Sequence, residues 1–245
     1  MRLDHATWPE VEAYLADHDG IILPVGSTEQ HGPMGLIGTD ATCARAIAEA
    51  AAEIVATFVA PTLAYTPAPF NTGFPGTVSI SEQLFADLFA EIVSGLQAQG
   101  FRRVYVLNAH GANLAPMRHV ARSLDTVHIR SWWEFDEVNA LRQSFFGQWE
   151  GMHATPAEIS ITQFLGRRVA PGAAATPPRL LTAEDIASRA GDRHGPPDLH
   201  RREFPDGRVG SHSALATPEY GAQLLQAAAR GVASDYQALV AAPRT

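Results

Sequence analysis

Four side chains with metal-binding chemistry fall on segments that read as loops. Glu29 and His31 lie in Gly26-Ser27-Thr28-Glu29-Gln30-His31-Gly32, directly behind the apolar run Ile21-Ile22-Leu23-Pro24-Val25. Two apart in an extended segment, they point the same way. Asp40 follows just before a helical pattern, and His110 ends a later apolar run, between Asn108-Ala109 and Gly111. Burying such groups unpaired costs several kcal/mol. Carboxylates with imidazoles are a ligand set for zinc, manganese or iron, and one carboxylate can bridge two ions. Cations would neutralise the acids and take the imidazole lone pairs. Taken singly, each residue has a plainer reading. Asp40 reads as an N-cap bonded to Cys43, and a histidine after a strand reads as a hydrogen-bonded loop residue. Only convergence of these loops on one sheet edge makes them a site.

The elements that must position them alternate. Thr7-Trp8-Pro9-Glu10 starts a helix, with a hydroxyl cap and proline in the first turn, running to about Asp17. Ile21–Val25 reads as a strand buried on both faces. A helix over Ala41–Val55, a strand over Phe58–Tyr65 and a Pro/Gly-rich loop through Thr77 follow. Ser81 caps a helix whose spacing puts Leu84, Leu88, Ile92 and Leu96 on one face before Gly100. Val104–Leu107 and Thr126–Arg130 read as strands, Leu114–Leu124 and Pro156–Leu165 as helices. Residues 170–178 read as an Ala/Pro linker and 192–210 as a polar loop, ahead of a last helix from Thr217 to Leu239. This order predicts an α/β fold, a three-layer α/β/α sandwich with a mostly parallel central sheet, as a single domain over 1–245. In such sheets the loops leaving the carboxyl ends of the strands build the site. The segments after Val25, after Tyr65 and after Leu107 should therefore meet.

Composition narrows the function. The 245 residues carry a formal net charge of −8, which argues against a nucleic-acid partner. The N-terminus lacks a signal-peptide pattern, no apolar run approaches bilayer length, and a cytoplasmic, non-membrane protein is expected. The one cysteine, Cys43, lies in a helical run and reads as a small buried thiol. No G-x-S-x-G elbow is present, so Ser27 reads as a turn residue. No G-x-G-x-x-G opens a helix, so nucleotides have no cradle. Trp132, Trp133 and Trp149 read as core or interface residues. His194, His200 and His212 lack ligand spacing and read as surface residues.

Leu23-Pro24-Val25-Gly26-Ser27-Thr28-Glu29-Gln30-His31-Gly32-Pro33, closing with Gly38-Thr39-Asp40, resembles the signature of the creatininase family of metal-dependent amidohydrolases. Gly73-Phe74-Pro75-Gly76-Thr77, Asn108-Ala109-His110-Gly111-Ala112-Asn113 and His153-Ala154 with Glu158 resemble its other motifs, in order, over about residues 1–165. The resemblance implies two divalent ions (Zn, Mn or Fe) held by Glu29, His31, Asp40 and His110, with Asp40 bridging. It implies catalytic roles for His153 and Glu158, with His153 as the general acid. Trp149, at the spacing of the family's lid tryptophan, is placed with Phe74, Thr77 and Asn108 beside the substrate. The family's glutamate ligand two after the strand-end histidine is Ala112 here, and the preceding substrate-contacting tyrosine is Gly111. Glu158 is then the candidate fifth ligand, its plainer reading being a helix-paired carboxylate, and creatinine itself is disfavoured. Met34, where many relatives have a histidine, is expected in the pocket wall.

The expected reaction is hydrolysis of a small amide, lactam or formamide by a metal-activated water, with the oxyanion stabilised by the metals. Peptide trimming or C–C ring opening is the alternative within the family, and a structural or regulatory metal protein the alternative outside enzymes. Structural sites are normally closed tetrahedra of thiolate or imidazole, unlike this carboxylate-rich set. Basic side chains on flanking loops are candidate readers of an acidic group on the substrate. A homo-oligomer, a hexamer, is implied by the resemblance, with Trp132-Trp133 as interface surface.

Overall fold

Two sets of alternating apolar side chains along the strands build two cores, one on each face of a four-stranded parallel sheet. The structure, a computed structural model, describes residues 1–124, 126–191 and 193–243. Strands β1 (Gly20–Val25), β2 (Phe58–Val59), β3 (Arg103–Asn108) and β4 (Val127–Ser131) lie in the order β2-β1-β3-β4, all parallel. In register, Ile21 pairs with Val104 and Val104 with Val127. Ile21, Leu23, Val25, Val104 and Val106 face helices α1 (Trp8–Asp17), α3 (Glu82–Ala98) and α4 (Leu114–Ala121). Ile22, Tyr105 and Leu107 face α2 (Thr39–Val55), α5 (Asp136–Phe145), α6 (Pro156–Leu165) and α9 (Pro218–Ala241). These are the three layers expected of helices covering both faces of a parallel sheet. Helices α7 (Ala183–Arg189) and α8 (Pro197–Glu203) complete the chain, and α8 packs on the turn Pro69–Gly73.

Several elements depart from the sequence reading. The strand expected over Phe58–Tyr65 pairs regularly only at Phe58–Val59 and touches β1 again at Leu63. Pro61 interrupts it, because proline has no N–H to donate to the ladder. On α3 the buried stripe is Phe85, Phe89 and Val93, whereas Leu84 and Leu88 are exposed. The apolar band is wider than the sheet can cover, and the bulkier rings take the buried side. Helix α8 replaces part of the expected polar loop, and α5 and α7 form in stretches to which the sequence reading assigns no element. Their cues are short ones: Val138, Leu141 and Phe145 at helical spacing, the Thr182–Asp185 capping box, and Pro197 in a first turn. Asp192, the first residue of the expected polar loop, lies outside the described residues.

His194 and His200 are buried rather than on the surface, because α8 presses His200 onto Phe70 and Phe74 and the two imidazoles meet edge to face. His212 is partly exposed, its ring against Trp149. Trp132 is buried in its own core at 2% exposure, so the Trp pair does not offer the interface surface expected of it; Trp133 alone is partly exposed.

Candidate metal centre

Close contact between β1 and α2 begins the site. At Gly26 a Cβ would lie 2.3 Å from the Ala41 backbone nitrogen, so only glycine lets the strand end press on the first turn of α2. That contact sets Ser27 against Asp40, and the Ser27 hydroxyl donates to Asp40 Oδ2 at 2.8 Å. Asp40 is not the N-cap. Gly38 holds that position, and Asp40 lies inside the first turn with its carboxylate turned toward two histidines. The Cys43 thiol bonds to the Glu158 carbonyl instead. Glu158 enters from α6, which Gly221 allows to lie close to α9: a Cβ there would sit 2.0 Å from the Ser160 carbonyl oxygen. Glu158 and Thr155 form the capping box of α6. The helix-paired reading of Glu158 is therefore met, yet its Oε1 is also 3.8 Å from His31 Nε2.

All three site imidazoles share one arrangement. One ring nitrogen meets a backbone carbonyl: His31 Nδ1 with Glu29 O at 3.1 Å, His110 Nε2 with Pro67 O at 2.8 Å, and His153 Nε2 with Gln30 O at 2.8 Å. A carbonyl oxygen only accepts, so each of these bonds places the proton on the ring nitrogen that faces it. His153 Nε2 also lies 3.0 Å from Gln30 Nε2 and 3.3 Å from Asn71 Nδ2, but the Gln30 carbonyl is nearer and the Gln30 side-chain amide already donates to Asn71 Oδ1 and Gly207 O. The opposite nitrogens then turn toward carboxylates. His31 Nε2 is 2.9 Å from Asp40 Oδ1, His110 Nδ1 is 3.1 Å from Glu29 Oε1 and 3.2 Å from Asp40 Oδ2, and His153 Nδ1 is 3.6 Å from Glu29 Oε1. Lone pair facing carboxylate is repulsive unless a positive charge lies between them.

Glu29 is fully buried. Its Oε2 accepts from Asn71 Nδ2 at 2.7 Å, whereas Oε1 has no hydrogen-bond partner among the described residues. Such orphans are rare in folded proteins and call for an explanation. Two triads share Asp40, namely Glu29–Asp40–His110 and His31–Asp40–Glu158, each with ligand atoms within 4.8 Å of one another; Glu29, His31 and His153 form a third group. The donor chemistry fits divalent ions, with imidazoles oriented by carbonyls as metal-binding histidines commonly are. Proton affinities say the same. Burial opposes charge on His31, but Asp40, Glu158 and Glu29 outweigh it and push the imidazole up to about 10. Glu29 and Asp40 likewise raise His110 against burial. Burial, with the neighbouring Asp40 charge, lifts the Glu158 carboxyl to about 7 against the pull of His31. His153 moves the other way, kept neutral by burial and by His31. The cluster demands positive charge, and protons or cations can supply it.

A cavity of about 260 Å³ opens onto Glu29, Asp40, His110, His153 and Glu158, with Leu114, Trp132, Trp133, Met152 and Arg142 among its walls. The four expected substrate contacts stand outside this lining. Asn108 braces the histidine loop, donating to His110 O and accepting from His110 N. Thr77 Oγ1 accepts from the Gln30 amide, Phe74 packs on His200 and Arg201, and Trp149 packs on His212. Met34 is not a wall residue either; it is buried with Ile159, Ala174 and Ala216. Unforeseen from sequence are Asn71 and the Gln30 side chain. Gln30 Nε2 donates to Asn71 Oδ1 at 2.7 Å and to Gly207 O at 3.0 Å, which ties the Glu29 brace to the C-terminal segment. A polar residue in a Pro/Gly loop gives no sign of such a role.

The sequence profile described as creatinine amidohydrolase matches residues 4–235. The chain belongs to the creatininase family. Within it, the 3-dehydro-scyllo-inosose hydrolase of Thermotoga maritima is 36% identical over 106 residues, 43% of this chain and 34% of that protein. The creatinine amidohydrolase of Pseudomonas putida is 27% identical over 176 residues, 63% and 68% of the two chains. The mycofactocin precursor peptide peptidase of Mycolicibacterium smegmatis is 38% identical over 100 residues, 38% of this chain and 40% of that one. The matched stretch thus spans well under two thirds of the inosose hydrolase and of the peptidase. A crystal structure of creatinine amidohydrolase (creatininase) shares the creatininase-family fold, with a TM-score of 0.81 over 100% of this chain and 98% of that one at 24% identity. Solved creatininases of this fold include a Zn-Zn form and a manganese form. Among the described residues, no helix is long and apolar enough to cross a membrane.

Proposed function

We propose that this creatininase-family chain is a metal-dependent hydrolase that cleaves a carbon–nitrogen bond in a small amide, lactam or formamide other than creatinine. The observation that carries this reading is the shared orientation of His31, His110 and His153, each with a carbonyl-bonded N–H and its other nitrogen toward a buried carboxylate. Glu29, Asp40 and His110 would hold one divalent ion and His31, Asp40 and Glu158 the other, Asp40 bridging. Bound there, the ions (Zn, Mn or Fe) supply Lewis acidity to polarise a carbonyl and to ionise water near neutral pH.

The chain's own groups do the rest. Asn71 and Ser27 fix the rotamers of Glu29 and Asp40. His153 keeps its Nε2 proton on the Gln30 carbonyl, so Nδ1 is its basic nitrogen. Neutral in the resting site, it takes the proton released by the attacking water at Nδ1 and returns it to the departing amine, which leaves poorly unless protonated. Trp132, Trp133 and Leu114 keep the approach apolar. The overlap with an inosose hydrolase and with a peptide peptidase supports a second reading, ring opening or peptide trimming by the same centre.

Metal analysis of the purified protein, followed by a panel of amides, lactams, formamides and short peptides scored for released amine and carboxylate, tests the proposal. Divalent metal lost in His110→Ala and turnover of a non-peptide amide support it. Full metal occupancy in His110→Ala removes that residue from the ligand set, and turnover confined to peptides replaces the first reading with the second.

A further inference from the structure

The same cavity is lined by two side chains whose donor groups the reaction above does not use. The chain has 18 arginines and no lysine, and Arg142 on α5 is the only arginine among the described residues that line this cavity. Its side chain is only 20% exposed. Nε donates to Glu150 Oε1 at 2.8 Å and Nη1 to Asn139 Oδ1 at 2.9 Å, so two of the three guanidinium nitrogens are tied to the protein. Nη2 makes no hydrogen bond among the described residues. A guanidinium held by two anchors is a rigid fork with its remaining edge pre-oriented. Beside it stands Trp132, whose ring centroid is 6.0 Å from the Arg142 Cζ atom. The indole is 2% exposed and lines the same cavity, yet its buried Nε1–H has no hydrogen-bond partner among the described residues. Buried donors are nearly always satisfied, and indole nitrogen can only donate. An unspent guanidinium edge and an orphaned indole N–H in one apolar wall call for an anionic acceptor.

We propose that Arg142 and Trp132 form a carboxylate subsite, so that the substrate is a small amide or lactam bearing a free carboxylate, as in an N-acylated amino acid. This deepens the amide-hydrolase reading and rests on it. The carboxylate would accept from Arg142 Nη2 and Trp132 Nε1 while the scissile carbonyl faces the histidine and carboxylate cluster. Glu150 and Asn139 act here as positioning residues that hold the fork.

The test compares N-formylglycine with N-formylglycinamide, which share the amide bond and differ in charge, on the metal-loaded enzyme. Binding is read by calorimetry and hydrolysis by formate release. A charge-assisted hydrogen bond is worth enough for a preference of roughly 10- to 100-fold for the carboxylate in binding. Arg142→Leu combined with Glu150→Gln, which leaves no buried charge unpaired, should bring that ratio close to one, and Trp132→Phe should lower it in part. Metal content checks that each variant is folded. If the double variant does not fold, Arg142→Lys keeps Glu150 paired and should still cut the ratio by about threefold, through loss of the fork. Equal binding of both probes by the wild type, or an undiminished preference without Arg142, overturns the subsite. A preference that persists while neither probe is hydrolysed leaves the subsite standing and refutes amide hydrolysis for this class.

Discussion

Removing the metal should make this protein less stable as pH rises from 7 to 9. In the metal-free fold the His31 imidazole is pushed up to about 10 from an ordinary 6.5, burial being outweighed by Asp40, Glu158 and Glu29. A group whose folded value is raised contributes its full stabilisation below the unfolded value and loses it as pH climbs toward the folded one. His110 is raised in the same sense by Glu29 and Asp40. Glu158, lifted to about 7, has lost most of its own contribution by the start of this window. Asp40 is held low by His31 and His110, and its contribution fails only in acid. His153, kept neutral by burial, costs stability only where the unfolded chain protonates, below about 6.5. Between pH 7 and 9 the two raised imidazoles therefore set the slope. One such group loses about 1.4 kcal/mol per pH unit, so His31 alone gives ~3 kcal/mol across the window. For a chain of this length that is a fall of roughly 6–12 °C in Tm. Bound cations would replace the protons and remove the slope. Thermal melts by circular dichroism at pH 7, 8 and 9, on chelator-treated and zinc-reloaded protein, measure both. In metal-free His31→Asn the drop should shrink. A metal-free Tm that holds or rises from pH 7 to 9 would refute the electrostatic account of this cluster.

Glu158→Gln should weaken one of two resolvable steps in a metal titration and leave the other, because Glu158 completes only the triad with His31 and Asp40; equal affinity in both steps would leave it as the cap of α6. His153→Ala should keep its metal yet turn over about a hundred- to ten-thousandfold more slowly, with a smaller deficit for amides whose leaving group is acidic. Loss of metal in that variant would make His153 a ligand, as its 3.6 Å approach to Glu29 allows. We also propose a homo-oligomer, a hexamer, which light scattering should report; since Trp132 is buried, it does not supply the contact, and a monomer at working concentration would end the proposal.

Local chemistry in the sequence was enough to mark much of this protein. Continuous apolar runs at Ile21–Val25 and Val104–Leu107 named buried parallel strands, since a strand covered on both faces needs no polar alternation. Thr7, Ser81 and Thr217 marked helix starts within a residue, because capping is an interaction between neighbours. With the strand-end rule, these placed Glu29, His31, Asp40 and His110 at one sheet edge, where the fold brings them together. Other features depended on partners distant in the chain. Leu84 and Phe85 are both apolar helix residues, and only the sheet beneath α3 decides which is buried. His200 looked polar and free until α8 met the turn at Phe70. Asn71 acquires its role from a carboxylate 42 residues away. His153 meets a carbonyl 123 residues away at Nε2, which turns Nδ1 toward the carboxylate cluster. Composition and spacing set which groups could bind a cation. Where each lone pair points was decided by backbone carbonyls, which every sequence has and only a fold can aim.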